Sequence, residues 1–198
     1  MNSKKQKPSQ GVREQPLTYD DYAAVPDDGQ RYELVNGRLE LMAPAPSPKH
    51  QLIAKEIGST LDSVCGSDYI LLYAPIDVIL SDTDIRQPDI VMIHKRRAEF
   101  ITHRGIEGPP DLVVEVLSTS SVKRDRGSKV KSYARYGIPE YWIVDPINRI
   151  LEQYILNSDS YELEEVYDGD KVIHSERLPC VAFTMKDIIN SLPELPNA

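Results

Sequence analysis

Short apolar runs separated by turn residues dominate the middle of the chain and predict buried strands. The clearest runs are residues 89–93, 112–117 and 141–145, which are rich in Val and Ile and are bounded by Pro, Gly or Asp. Runs of this length and composition are typical of strands buried on both faces. A longer run at residues 69–80 predicts one more strand of the same sheet.

Two longer segments show the spacing of amphipathic helices instead. In residues 49–64 apolar side chains recur at every third or fourth position, so that they share one helix face. Residues 120–136 predict a second helix, because Ser120 can cap its start and Gly137 can end it. Short helices are predicted from Thr18 and near residues 185–190.

The order of these elements predicts the fold class. Residues 31–42 contain an Asn-Gly pair that suits the tight turn of a β-hairpin. A helix, three strands, a helix and a strand then follow, which predicts an α/β core with antiparallel early strands and a later parallel crossover. Beyond this core the apolar residues alternate, which predicts an antiparallel meander with strands at 149–156, 161–167 and 171–177.

Length and composition fit one domain. The chain has 198 residues, of which 40% are apolar, so it can bury a core of ordinary size. The polar residues 1–15 predict a disordered N-terminal segment, and residues 16–198 a single domain. Within that domain we expect a core of about residues 17–147 and a β-rich extension of about residues 148–198.

The cysteine content and the hydropathy predict a cytoplasmic protein. Cys65 and Cys180 are the only cysteines and stand in no metal-binding spacing, which favours a reducing compartment. No apolar run approaches the ~20 residues of a membrane span, and no signal peptide is visible. We therefore expect no membrane association.

The net charge of −8 argues at first against a nucleic-acid partner. Its distribution changes that interpretation. Residues 138–198 contain twelve acidic and four basic side chains, so they hold the whole negative excess, and residues 1–137 are neutral. Any site in the first two thirds of the chain is therefore free of a general repulsion of phosphate.

Two carboxylates interrupt the predicted strands. Asp89 follows Pro88 at the start of one apolar run, and Glu115 lies inside another. A buried charge costs several kcal/mol unless it is paired or binds a metal. Asp89 alone could be a turn residue paired with Arg86, but Glu115 between two valines is hard to explain by packing. Together the two acids predict a cation site.

Five segments carry a resemblance to a known family. They are RYELVNG at 31–37, QPDIV at 87–91, VEVLS at 114–118, DRGSK at 125–129 and EYWIVDP at 140–146. With Pro-Asp on one central strand and Glu on the next, they resemble the PD-(D/E)XK nucleases, and in particular the Uma-two family of restriction endonucleases. The resemblance spans about residues 17–156 and implies a restriction-endonuclease-like fold, in which helices flank a mixed central sheet.

The resemblance also implies a divalent-metal site. Asp89 and Glu115 match the two metal-binding acids of the superfamily, and the carbonyl of Val116 would complete a half-shell of oxygen ligands for Mg²⁺ or Mn²⁺. Such an ion stabilises charge on the phosphate and helps to ionise an attacking water. Glu33, in the hairpin, could approach as a third catalytic acid, or could be an edge-strand carboxylate on a polar face.

One position departs from the superfamily pattern. The pattern has a Lys two residues after the Glu, and here that residue is Leu117. A lysine from the following helix could replace it, and the family carries its Lys at the position of Lys129. Helical spacing places Lys129 at the edge of the inward face, whereas Lys131, Arg124 and Arg135 point the opposite way. Arg126 is the rival of Lys129.

One histidine, His50, and one tyrosine, Tyr133, are weaker candidates. His50, at the start of the helix 49–64, could hydrogen-bond substrate or Glu33, or could be structural. Tyr133 is expected to be a core aromatic and not a platform for a base. The residues that could bind substrate are therefore His50 and, from the helix 120–136, Arg126.

These observations predict a metal-dependent endonuclease that hydrolyses phosphodiester bonds of nucleic acid, with DNA the expected substrate. The alternative is an inactive nuclease-fold module for binding or interaction, which the missing in-strand Lys and the acidic C-terminal third both favour. A third possibility is a nuclease whose acidic face binds a basic partner subunit. The meander would leave an exposed strand edge, so we also expect a homodimer.

Overall fold

The computed structural model describes residues 15–194, so the predicted disordered segment 1–15 lies outside it except for Gln15. The helices are α1 (Tyr19–Ala23), α2 (Pro48–Cys65), α3 (Val122–Arg124), α4 (Val130–Arg135) and α5 (Met185–Ser191). The strands are β1 (Tyr32–Val35), β2 (Arg38–Leu41), β3 (Tyr69–Tyr73), β4 (Val78–Ser81), β5 (Asp84–Arg86), β6 (Ile90–His94), β7 (Ile106–Glu107), β8 (Leu112–Val116), β9 (Glu140–Asp145), β10 (Ile150–Asn157), β11 (Ser160–Tyr167), β12 (Val172–Ile173) and β13 (Phe183–Thr184).

A six-stranded sheet forms the centre of the molecule, in the order β11-β10-β9-β8-β6-β3. Strands β3, β6 and β8 are antiparallel neighbours, and β8 and β9 are parallel. The chain crosses from β8 to β9 through α3 and α4. The predicted α/β core with a late parallel crossover is therefore confirmed, and β8, which carries Glu115, is paired along both edges.

Helices cover both faces of this sheet. On one face α2 buries Ile53, Ile57 and Leu61 against the apolar side chains of β8, as its spacing predicts. The C-terminal segment around α5 packs on the same side. On the other face Tyr133 of α4 packs against apolar side chains of the central strands. This cluster also includes Val78 of β4, which belongs to a second sheet. Both faces of the central strands are thus dry, which is the reason that their sequences are almost wholly apolar.

A second sheet of five strands holds the predicted hairpin, in the order β2-β1-β5-β4-β7. Asn36 and Gly37 have φ of 48° and 75°, the left-handed values that a tight primed turn needs. The predicted single strand at residues 69–80 is wrong, because β3 and β4 belong to different sheets and Ala74-Pro75 separates them. This break lets β5 pair with β1 and brings the hairpin to the edge of the central sheet.

The predicted helix at 120–136 forms over residues 122–135, but it is not a regular α-helix throughout. Between α3 and α4 the backbone forms one wide turn of π-helix at Asp125–Lys129, here called the π turn. A π turn inserts an extra residue into the helix and rotates the side chains that precede it relative to those that follow. Both Asp125 and Lys129 are buried within it.

The predicted C-terminal meander is right for two of its strands. Strands β10 and β11 extend the central sheet beyond β9, and among the described residues no strand pairs with the outer edge of β11. The third strand is wrong, because β12 pairs with β13 in a separate two-stranded sheet. The chain therefore returns to pack α5 against α2 instead of adding a strand at the edge.

The two cysteines are paired, which contradicts the expectation of reduced thiols. Cys65 at the end of α2 forms a disulfide with Cys180 across a sequence separation of 115 residues. The fold alone creates this contact, so no local spacing could have shown it. Closing so long a loop stabilises a fold by about 4 kcal/mol. The cytoplasmic location remains a prediction, now without support from the cysteines. None of the described helices is long and apolar enough to cross a membrane.

Candidate active site

A cleft of about 280 Å³ opens where the two sheets, the start of α2 and the π turn meet. The side chains of Asp89, Glu115 and Lys129 all line it, together with His50. Each comes from a different element, so the fold and not the local sequence brings them together. Six side chains were proposed from the sequence. Five of them line this cleft or contact a residue that lines it.

The sequence suggested that Asp89 begins a strand. In the structure Asp89 lies one residue before β6 and is not part of the strand. Its Oδ2 accepts a hydrogen bond from the backbone N–H of Val116 at 2.8 Å, which ties it to the strand that carries Glu115. Its Oδ1 lies 3.1 Å from Nε2 of His50. The alternative pairing with Arg86 is wrong, because Arg86 contacts Asp84 instead, at 2.8 Å.

Glu115 is only 3% exposed, and β8 directs its side chain toward α4. Its Oε1 accepts hydrogen bonds from Nζ of Lys129 at 2.7 Å and from the hydroxyl of Tyr133 at 2.8 Å. Burial raises the pKa of Glu115 well above its ordinary range, although Lys129 opposes the rise. Tyr133 is a core aromatic as expected, but its hydrogen bond to the acid was not foreseen.

Lys129 is 5% exposed and stands among three carboxylates. Its Nζ lies 2.7 Å from Glu115 and 3.5 Å from both Glu33 and Asp125. Burial by itself would lower the pKa of Lys129, but the three acids outweigh it and raise that pKa above its ordinary value. The side chain is therefore a buried ammonium that donates a hydrogen bond to Glu115 and forms longer ion pairs with Glu33 and Asp125.

Arg126, the rival of Lys129, lies outside the cleft. Its side chain is largely exposed and forms an ion pair with Glu152 of β10. Arg126 therefore does not take the place of Lys129 in this cleft, and its role in substrate binding stays a prediction. Lys131, by contrast, is exposed on the outer side of α4 as its helical position predicts.

Glu33 is buried and not an edge carboxylate on a polar face. Its Oε1 accepts the backbone N–H of Gln87 at 2.9 Å, and its Oε2 lies 3.5 Å from Arg86. Burial would raise the pKa of Glu33, yet Lys129 and Arg86 outweigh that effect and lower it. The suggested contact between His50 and Glu33 is absent, since the imidazole faces Asp89.

Two residues of the cleft were missed. Asp125 is 1% exposed and pairs with Lys129 at i,i+4, a spacing that could have indicated it. Burial raises its pKa. Arg124 was expected to point outward, but it lines the cleft, where its guanidinium donates to the carbonyl of Leu41 at 3.2 Å. The π turn explains this error, because it shifts the helix phase between Arg124 and Lys129.

The buried charges around the cleft do not balance. Four buried acids face two buried bases, and the partly exposed Asp89 adds a further carboxylate; the buried groups are Glu33, Asp84, Glu115, Asp125, Arg86 and Lys129. Such an excess of negative charge in a site of low dielectric is costly unless protons or a cation compensate it. The electrostatics of the cleft therefore favour the entry of a cation.

The donors present suit a hard divalent ion. Among the described residues no cluster of three His, Cys, Asp or Glu side chains has metal-binding geometry. Mg²⁺ needs fewer protein ligands, because it usually takes one or two carboxylates and completes its shell with water and phosphate. Asp89, Glu115 and the carbonyl of Val116 are oxygen donors of that kind on the wall of the cleft.

The mixed sheet flanked by helices, with one acid just before β6, one acid within β8 and a lysine in the same cleft, defines a restriction-endonuclease-like protein. A family model for Uma2, described as "putative restriction endonuclease", matches residues 19–186. The chain belongs to the Uma2 family. The resemblance seen in the sequence is therefore confirmed.

A solved structure has the same fold. It is described as a "putative nuclease belonging to DUF820" from Anabaena variabilis, and it superposes with a TM-score of 0.72 at 20% sequence identity. The match covers 88% of this chain and 98% of the other. No curated protein matches the chain.

Replacing Lys129 by Ala should destabilise the protein strongly. The substitution leaves three buried acids without their shared ammonium, and removal of one partner from a buried pair costs about 3–5 kcal/mol. Lys131→Ala is the matched control on the exposed side of α4 and should change the free energy of unfolding by less than ~0.5 kcal/mol. Urea unfolding of both variants without divalent ions measures the difference, and equal stabilities would contradict the contacts described for Lys129.

Proposed function

We propose that this protein is a metal-dependent endonuclease that hydrolyses phosphodiester bonds, with DNA as the substrate. The single observation that carries the proposal is the convergence of Asp89, Glu115 and Lys129 in one cleft. Family membership supports a nuclease, and the charge excess of the cleft supports a divalent cation such as Mg²⁺ or Mn²⁺. Neither observation identifies the ion.

The proposed roles follow from the contacts. Asp89, Glu115 and the carbonyl of Val116 would hold the ion, which when bound neutralises phosphate charge and lowers the pKa of a water molecule. The ammonium of Lys129 donates hydrogen bonds at the side of Glu115, where it can orient the attacking water or a phosphate oxygen. The attacking water loses a proton to solvent and bonds to phosphorus, one P–O ester bond breaks, and the leaving oxygen takes a proton from solvent.

Glu33 and Asp125 act on Lys129 in this proposal. Their carboxylates lie 3.5 Å from its Nζ and keep it protonated, so it serves as a hydrogen-bond donor and not as a general base. Glu33 also fixes the backbone before Asp89, because it accepts the N–H of Gln87. Its role is therefore to position the catalytic groups.

Basic side chains at the mouth of the cleft suit a phosphate backbone. Arg31 and Arg124 both line it. The acidic strands β10 and β11 stand apart from it, since β11 is three strand positions from β8, or roughly 14 Å at the usual spacing. The acidic excess of β11 therefore lies away from the catalytic groups of the cleft.

A binding module without catalysis is the second candidate function. Leu117 occupies the place of the usual lysine, and the ammonium of Lys129 is already engaged by three carboxylates. Such a protein would bind nucleic acid through the same cleft but would neither need a divalent ion nor cut its ligand. Ion-dependent stability and cleavage activity distinguish the endonuclease from the binding module.

Divalent ions should stabilise the protein through Asp89 and Glu115. An ion at about 100 times its Kd adds roughly 2.7 kcal/mol, which raises the Tm of a domain of this size by about 5–10 °C. Asp89→Asn and Glu115→Gln should each abolish the rise produced by Mn²⁺ or Mg²⁺, whereas Glu164→Gln on the exposed face of β11 should retain it. Thermal unfolding with and without the ion provides the measurement, and an unchanged response in both site variants would refute the metal site.

Cleavage should depend on Lys129 and not on Lys131. Lys129→Ala removes a hydrogen-bond donor to the reacting phosphate, and loss of one such donor costs on the order of 10²–10³ in rate. Nicking of supercoiled plasmid DNA measures this, at a temperature where circular dichroism shows the variant folded. Lys131→Ala should keep most of the activity. Full activity of Lys129→Ala would refute the role proposed for Lys129, whereas no metal-dependent nicking by the wild type would favour the binding module.

We further propose that the protein forms a homodimer through β11. The outer edge of β11 pairs with no described strand, and its Leu163 and Val166 are exposed by 52% and 37%. Antiparallel pairing of two copies would cover this edge and is compatible with a two-fold axis. Such a pair would also present two clefts to the two strands of a duplex.

Dimer formation should strengthen as salt rises. Glu162, Glu164 and Glu165 on β11 would repel their copies across the axis, and salt screens this repulsion. Leu163→Asp should dissociate the dimer, and sedimentation velocity at micromolar concentration measures both effects. A wild-type monomer under all these conditions would show that the edge stays unpaired in solution.

A further inference from the structure

His50 is the one buried polar side chain of the cleft that the proposed mechanism does not use. It lies in the first turn of α2, is 6% exposed, and lines the cleft beside Asp89. Neither ring nitrogen has a well-aligned hydrogen-bond partner among the described residues. A buried imidazole without such a partner is costly, so its position calls for a ligand.

The distance between Nε2 of His50 and the carboxylate of Asp89 fits two ligands of one ion. Nε2 of His50 lies 3.1 Å from Oδ1 of Asp89, yet the two atoms are not aligned as a hydrogen bond. Adjacent ligands of an octahedral ion with bonds of about 2.1 Å are separated by ~3 Å. The other oxygen of Asp89 is held by the N–H of Val116, so Oδ1 is the atom left for an ion.

The helix holds the imidazole in this place independently of any ion. The hydroxyl of Ser47 caps α2 by accepting the backbone N–H of His50. Pro48 occupies the first turn, where its fixed φ favours the start of a helix. The imidazole is thus supported by a rigid helix start, which reduces the entropy lost when it binds a ligand.

We propose that His50 is a metal ligand beside Asp89, and that it makes the site select first-row transition ions such as Mn²⁺ and Co²⁺ over Mg²⁺. The inference rests on the proposed function, since it names the ion for that same site. Mg²⁺ is a hard ion that favours oxygen ligands. An imidazole nitrogen suits transition ions better, and it gives the site a preference that two carboxylates and a carbonyl do not provide.

The direct test of this proposal is spectroscopic. Mn²⁺ bound to the full chain should show pulsed-EPR modulation from a directly coordinated ¹⁴N nucleus. Co²⁺ bound in its place should show visible absorption bands that shift when His50 is replaced. An EPR spectrum of site-bound Mn²⁺ without ¹⁴N coupling would overturn the proposal.

Affinity measurements give the second test. Isothermal titration should show that the wild type binds Mn²⁺ at least about ten times more tightly than Mg²⁺. His50→Ala should weaken Mn²⁺ binding on the order of 10–100-fold while it changes Mg²⁺ binding much less, as expected for loss of a group that ligates or orients a ligand. His103→Ala, which removes an exposed imidazole from a loop, is the matched control and should change neither affinity.

The variants also separate this inference from the proposed function. If Asp89→Asn abolishes Mn²⁺ binding while His50→Ala weakens Mn²⁺ and Mg²⁺ binding equally or not at all, the role of His50 is refuted and the metal site stands. If neither Asp89→Asn nor Glu115→Gln affects binding of any ion, the metal site of the proposed function fails. If His50→Ala is the only variant that loses the preference for Mn²⁺ over Mg²⁺, the result supports both the metal site and the role of His50.

Discussion

The buried ammonium of Lys129 is the interaction on which the rest of the site depends. Its three carboxylate partners come from β1, β8 and the π turn, so one cation joins the second sheet, the central sheet and the crossover helix. None of these acids could be buried there without a compensating charge. The same contact therefore fixes how the hairpin meets the central sheet and where Glu115 faces the cleft.

Regular structure is interrupted at the places where the site is built. Asp89 precedes its strand, β3 and β4 are split, and a π turn divides the crossover helix. Each interruption lets a side chain reach the cleft. A regular element would direct that side chain elsewhere. Wide helical turns are frequent at functional sites, and local departures from regularity of this kind are expected where function and stability compete.

The sequence revealed the parts of this site that are encoded locally. Asp89 and Glu115 stood out because a charge in an apolar run has no simple packing role, and Lys129 followed from helix phase and from family resemblance. Arg124 and Asp125 were missed because phase was counted along a straight helix. The sheet change after Ala74 and the pairing of Cys65 with Cys180 depend on long-range packing, which alternation of apolar residues does not encode.

The excess of buried acid also constrains how substrate can reach the cleft. A phosphate that approached the carboxylates directly would add negative charge to a site where four buried acids already outnumber two bases. Arg31 and Arg124 can attract the nucleic-acid backbone to the mouth of the cleft, but they do not lie among the buried acids. In the proposed mechanism Asp89 and Glu115 would hold a divalent ion, and its charge would offset theirs and so allow the scissile phosphate to enter.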